Sequence, residues 1–172
     1  MRNKAWRGST ATAAIAAALL AALATPAVAA TATANLGVTA TVSNNCTIST
    51  TAVGFGSYDP VVAHASTNLD GTGTVIVACT KGAVATVGLG LGSNVTGSTR
   101  RLKDPGTNYL TYELYRDAGR TSVWGDAGAA LLSPGAAPSK TARTFTVYGR
   151  IPQNQDIPAG AYTDTVVATV NF

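Results

Sequence analysis

Apolar and polar residues alternate singly along most of this chain, the period-2 pattern of strands with one face buried. In "NLGVTATVSNNCTI" the residues Leu36, Val38, Ala40 and Val42 fall on one parity, and the alternation continues to Cys46 and Ile48. "AVGFGSY" (52–58) predicts a second strand. A polar loop with Asp59-Pro60 follows, then "NLDGTG", whose Asp70-Gly71 reads as a turn pair. "TVIVAC", ending at Cys79, is a short and nearly continuous apolar strand. "VATVGLGLG" predicts another, with Gly88, Gly90 and Gly92 on one face. "NYLTYELY" supplies aromatics at near-alternate positions, and "SVWG" is short; past the Gly/Pro-rich "SPGAAPS" comes "RTFTVYGRI". In the final strand, "YTDTVVATVNF", Val166, Ala168, Val170 and Phe172 share a parity. A strand running to Phe172 needs pairing on both edges or leaves one open.

About eight short strands at such spacings predict an all-β fold with Ig-like sandwich architecture. Past the leader no 11-residue window has convincing 3.6 periodicity, and Thr, Val, Ala and Gly dominate, a strand-forming composition. The leader is different. Arg2, Lys4 and Arg7 precede the 14-residue apolar run Ala11–Ala24, and "TPAVAA" offers small residues for cleavage after Ala29 or Ala30. This is the form of a secretory signal peptide over residues 1–29; the run is too short to cross ~30 Å of hydrocarbon, so no membrane span is expected after cleavage.

Export changes how charge and cysteine are read. Three of the 12 Lys and Arg lie in the leader, so nine face 8 Asp and Glu in the remainder. That balance gives no basic stripe for nucleic acid, and "RRLK" (100–103) reads as one solvated basic loop. Cys46 and Cys79, 33 positions apart, read as an intramolecular disulfide worth about 3–4 kcal/mol by loop entropy. Metal binding is the weaker alternative, because His64 is the single histidine and no zinc spacing results.

Catalytic chemistry finds little support. His64 with Asp59 and Ser66 would have to form a triad inside one loop, which sequence proximity does not supply. "GLGLGS" (88–93) lacks the spacing and the helix of a phosphate loop. The acids are scattered singly, and Glu113 reads as a strand-edge charge or a partner for Arg116. No catalytic, metal or cofactor site is expected.

"YELYRDAGRTSVWGD" (112–126) resembles the L-Y-x-D-x-x-R-T-x-x-W-G-D block of spore coat protein U domain proteins, a family that includes pilin subunits of archaic chaperone–usher pili. Leu114, Tyr115, Asp117, Arg120, Thr121, Trp124, Gly125 and Asp126 carry the match. The ending "YGRIPQNQDIPAGAYTDTVVATVNF", both cysteines and the leader fit as well. The resemblance implies a sandwich over 43–172 lacking its last strand, with Val166, Ala168, Val170 and Phe172 bordering an open groove. It further implies a periplasmic chaperone lending a strand and an outer-membrane usher. At the usher, the N-terminal segment of the next subunit, a neighbouring copy or a related pilin, replaces the loaned strand; in this chain that segment is residues 30–42, with Leu36, Val38, Ala40 and Val42 as donor side chains. The implied product is a cell-surface pilus serving adhesion and biofilm formation. The competing expectation is a secreted monomeric coat or ligand-binding sandwich, complete within one chain.

Overall fold

The computed structural model describes residues 28–172. The expected signal peptide therefore lies almost wholly outside the described residues. The chain divides at Thr39/Ala40. Residues 28–39 form no strand, and each of them is exposed.

From Ala40 onward the chain is an all-β, Ig-like sandwich. Five antiparallel strands form one sheet in the order β1 (Cys46–Gly54), β2 (Leu69–Cys79), β6 (Arg143–Ile151), β5 (Tyr109–Tyr115) and β4 (Arg100–Lys103). Opposite lies a small sheet of β3 (Thr86–Leu89) and β7 (Ala168–Asn171). Single bridges from Val84 to Ala136 and from Val87 to Leu132 extend the far side of β3. No α-helix occurs among the described residues; Gly128–Ala130 is one 3-10 turn.

Period-2 burial explains the layers. Val75 and Val77 on β2, Val147 on β6 and Leu114 on β5 point inward and are buried against Val87 and Leu89 of β3. Each such side chain contributes roughly 1.5–3 kcal/mol. Cys46 stands opposite Cys79 in the β1–β2 register, and the two form the expected disulfide.

The structure corrects the sequence expectations in several places, beginning with "SVWG", which forms no strand and only a single bridge from Val123 to Tyr115. The first strand begins at Cys46, not Leu36, since backbone pairing starts only where Thr80 N–H donates to Asn45 O (2.9 Å). It then runs through to Gly54, joining two expected strands. Asp70-Gly71 is not a turn; it lies in β2, opposite Arg150 and Gly149, where Arg150 binds the Asp70 carboxylate at 2.8 and 3.0 Å. "RRLK" is β4 rather than a loop, with Arg100 completely buried. The last strand is short. Thr163 bridges Lys103, and regular pairing with β3 begins only at Ala168.

Candidate functional site: a cleft between two strand edges

β1 and β7 are edge strands of opposite sheets. Among the described residues β1 pairs with β2 alone and β7 with β3 alone. Between their free edges lies a cleft of about 190 Å³. Its walls are Thr50–Val53 on one side and Asp164, Val166 and Ala168 on the other. Its floor is core: Val75, Val147, Leu89, Leu102, Tyr112 and Leu114.

The register shows why this is a gap in the sandwich and not a surface dimple. Residues directly opposite each other across a strand pair share a face. Ile48 pairs with Val77 and Thr50 with Val75, so both β1 residues face the interior. Val75 and Val77 are buried, yet Ile48 is half-buried and Thr50 exposed. A bulge between Thr51 and Gly54 then resets parity and turns Val53 inward. On the opposite wall Ala168 pairs with Leu89 and Val170 with Val87; both partners are buried, whereas Ala168 and Val170 stay half-buried. Inward positions of both edge strands thus lack a cover. Such unpaired, apolar-lined edges are the usual template for an added strand.

The polar groups around the cleft are committed to structure. The Asp164 carboxylate accepts from Ser93 N–H (2.9 Å), Asn94 N–H (3.2 Å), Asn94 Nδ2 (3.0 Å) and Tyr112 Oη (2.7 Å). Burial, reinforced by that carboxylate, pushes the Tyr112 hydroxyl far above its usual range. Gly92, in the left-handed region at φ +87°, leaves room for Asp164, with which any Cβ would collide.

Of the four expected groove residues, Val166 and Ala168 line the cleft. Val170 packs on the core further along β7, and Phe172 lies beyond the strand, 56% exposed. Leu36, Val38 and Val42 are 88%, 84% and 82% exposed, and Ala40 is exposed too. The β1 wall was not anticipated. Its signal was the polar-for-apolar substitution in "CTISTTAVG", where Thr50 occupies an inward position.

The 114–126 block braces the two sheets. Leu114 is core, and Tyr115 is half-buried, bridged to Val123. Trp124 is fully buried, and its indole N–H donates to Val87 O (2.9 Å). The Asp117 carboxylate accepts from Ser122 N–H (2.7 Å), Thr121 N–H (3.1 Å) and Thr121 Oγ1 (3.0 Å), closing the loop. These bonds hold Asp117 below the usual carboxylate range. Arg120, at φ 55°, donates to Gly149 O (3.1 Å) and pairs with Asp70 (3.1 Å). Gly125 O accepts from Leu89 N–H (3.1 Å) and Gly125 N–H donates to Ala130 O (3.0 Å), and Asp126 packs against Gly88. Beneath the block sits Arg100, donating to Leu89 O (2.7 Å), Gly90 O (2.8 Å) and Trp124 O (2.8 Å) and ion-paired with Glu113. Glu113 is therefore the partner of Arg100, not of Arg116. His64 is likewise structural: its Nδ1 accepts from Asp59 N–H (2.9 Å), and its ring stacks on Tyr58.

Comparison with known proteins gives this architecture relatives. The chain is 43% identical over 145 residues to Protein U of Myxococcus xanthus, covering 76% of this chain and 79% of that one. Its fold is similar, at a TM-score of 0.52 and 23% identity, to a chain of a chaperone–tip adhesion subunit pre-assembly complex from the archaic chaperone–usher Csu pili of Acinetobacter baumannii. That match covers 77% of this chain and spans about two fifths (41%) of the other. The sequence model of the Spore Coat Protein U domain matches residues 32–169, which takes in the bracing block, both cysteines and most of the cleft. This chain belongs to the Spore Coat Protein U domain family.

Proposed function

We propose that the chain is a non-enzymatic structural subunit of a surface pilus assembled by strand exchange. The uncovered inner face between β1 and β7 carries this reading. On this reading the subunit is exported to the periplasm, where a chaperone strand covers the cleft. At an outer-membrane usher, residues 30–42 of the next copy replace that strand. Leu36, Val38, Ala40 and Val42 share a parity and are exposed, so one face of the segment is free to enter an apolar groove. Burying each Leu or Val there is worth ~1.5–3 kcal/mol, and head-to-tail exchange propagates into a fibre without closing. The fibre would serve adhesion and biofilm formation. The kinship with the pilus complex supports the fold, and the committed His64 and Asp164 support a role without catalysis.

One specific observation bears on the competing ligand-binding reading. At about 190 Å³ the cleft is smaller than the ~300–1,000 Å³ of small-molecule pockets, though it admits one or two aliphatic side chains. A second cavity, of about 380 Å³ beside Phe55, Tyr58, Leu110 and Ile157, falls within that range. The test compares the periplasmic chain with and without residues 30–42 on a denaturing gel, unboiled, each expressed with and without a pilus chaperone. A ladder of multimers from the full chain, lost on deletion, is the expected result. Monomer bands from both, folded without a chaperone, would establish the complete, unassembled sandwich instead.

A further inference from the structure

The strand registers give the sandwich two ends with different surfaces. At one end the loops 55–68, 104–108 and 152–162 meet: Asn154 N–H donates to His64 O (2.8 Å) and Tyr58 Oη to Pro152 O (3.0 Å), and Lys103 and Thr163, which flank 104–108 and 152–162, exchange backbone bonds (2.9 Å each). These three loops contain Asp59, Asp104 and Asp156 and no Lys or Arg, and the cation at their rim, Lys103 at the end of β4, stands beside Asp104, leaving the end net acidic. Asp59 also folds the tip of its loop, accepting from Val61 N–H (2.9 Å) and Val62 N–H (3.1 Å), which holds Val61 and Val62 out at 80% and 77% exposure. At the other end the disulfide, the loop 80–85 and the segment 132–142 meet, joined by Gly82 N–H to Ala137 O (2.8 Å) and Ala137 N–H to Ala83 O (2.9 Å). These carry Lys81 and Lys140, with Arg143 at the start of β6, and no Asp or Glu. They also expose Val84, and β7 ends beside them with Phe172.

We infer that these two ends are complementary faces, and that the acidic, valine-tipped end of one copy docks on the basic end of the next copy of this chain. The inference rests on the strand-exchange reading, which supplies the polarity. The 190 Å³ cavity lies at Thr50–Val53 and Ala168, and neither Ile48 nor Val170, nearer Cys46, lines it. The donor row opens with three small residues, Ala30, Ala32 and Ala34, and its large ones, Leu36, Val38 and Val42, all follow, with Ala40 among them. Sizes match when the segment enters with Ala30 at the Cys46 end, antiparallel to β7 and parallel to β1. It then leaves at the acidic end. Its own sandwich begins a few residues later, at Ser43–Cys46, where Thr80 Oγ1 donates to Ser43 O (3.3 Å) and accepts from Asn45 N–H (3.1 Å). The basic end of the donor copy is thereby brought against the acidic end of the acceptor, apolar tips facing, with opposite charges complementary as specific interfaces require. Strand exchange links the copies, and this contact fixes the angle between them.

Zero-length carbodiimide coupling of assembled wild-type protein tests the contact, with mass spectrometry of the linked peptides. β2 alone, 11 residues long, separates the ends by about 35 Å, so a bond from Asp156 to Lys81 or Lys140 must join different copies. The expected result is such a bond, lost in Lys81→Gln/Lys140→Gln and weakened at least several-fold in high salt, while the unboiled ladder persists. A ladder with no such bond overturns the docking and leaves strand exchange standing. The bond without a ladder overturns strand exchange and leaves the docking. Neither bond nor ladder overturns both.

Discussion

Arg100 shows how one side chain decides the character of its neighbourhood. Its guanidinium satisfies the carbonyls of Leu89, Gly90 and Trp124 at once, spanning β3 and the 124–126 segment, while Glu113 balances its charge. A planar fork with fixed donors suits this task, and a lysine could not reproduce it. Removing the cation takes the guanidinium donors from three carbonyls and leaves the Glu113 carboxylate, uncompensated in charge, with the Leu114 N–H (2.8 Å). Arg100→Met is therefore expected to cost about 3–5 kcal/mol, and Glu113→Gln about 1.5–3 kcal/mol, Glu113 being partly exposed. Denaturant unfolding of the disulfide-intact protein measures both. The carboxylates make a second prediction. Asp70 is held below the usual 3.8 by its bonds to Arg150 and the nearby Arg120 charge, and Asp117 by the Ser122 and Thr121 amides. Folded values below unfolded ones mean the native state binds fewer protons, so this stability is present above about pH 4 and is lost as pH falls through the folded values. Melting temperature is expected to stay level from pH 8 to pH 5 with respect to these groups and to drop below pH 4. Asp70→Asn is expected to flatten part of that drop.

At the scale of elements, glycines set how closely β1 lies on its neighbours. A Cβ at Gly73 would fall 2.8 Å from Thr51 O and from the Val53 side chain, and one at Gly149 would fall 2.6 Å from the Phe55 ring. The β1 bulge at Thr51–Gly54 lies over this pair, so the bulge, Phe55 and the cleft wall share one support. Gly73→Val is expected to destabilise by roughly 1–3 kcal/mol, as overpacking does. It should also displace Thr50–Val53, seen as chemical-shift changes along β1 but not at β4. These glycines also mark what could be read from sequence. "RTFTVYGRI" and "YLTYELY" became β6 and β5 because their alternation reports a half-buried face directly. The Asp70-Gly71 pair misled because local turn chemistry was outweighed by an 11-residue strand needing small residues under β1. β4 was hidden because Arg100 is polar and its burial depends on carbonyls from residues 89, 90 and 124, a tertiary fact no local pattern encodes. In the candidate site, Val166 and Ala168 were legible from parity. The β1 wall was not, since the bulge shifts parity midway and Thr50 looks like a solvent position.

At the scale of the whole molecule, stability and assembly draw on different residues, and this makes them separable. The core of Ala40–Phe172 is built from β2, β3, β5 and β6, with Trp124 and the disulfide holding layers and edge together. Leu36 takes no part in it, being 88% exposed. A substitution there should leave the subunit's own stability within about 0.5 kcal/mol, the usual range for exposed positions away from special features. The cleft on the receiving copy has an apolar floor, Val75, Leu89, Leu114 and Val147, and the Asp164 carboxylate on its wall, so a carboxylate introduced at position 36 would be buried against apolar side chains and a like charge. Leu36→Asp is therefore expected to abolish the multimer ladder while the unfolding midpoint of the chaperone-released or chaperone-bound subunit stays unchanged. Filling the cleft from the other side, with Ala168→Leu, should weaken the ladder by narrowing the space that Leu36 needs. The pair Leu36→Ala with Ala168→Leu should then recover multimers lost in Ala168→Leu alone, since volume removed from the donor offsets volume added to the groove. Recovery of the ladder in the pair would tie the two positions to one contact; an unboiled gel of the four variants side by side reads it. A ladder that tolerates Leu36→Asp would mean that position 36 never enters the groove.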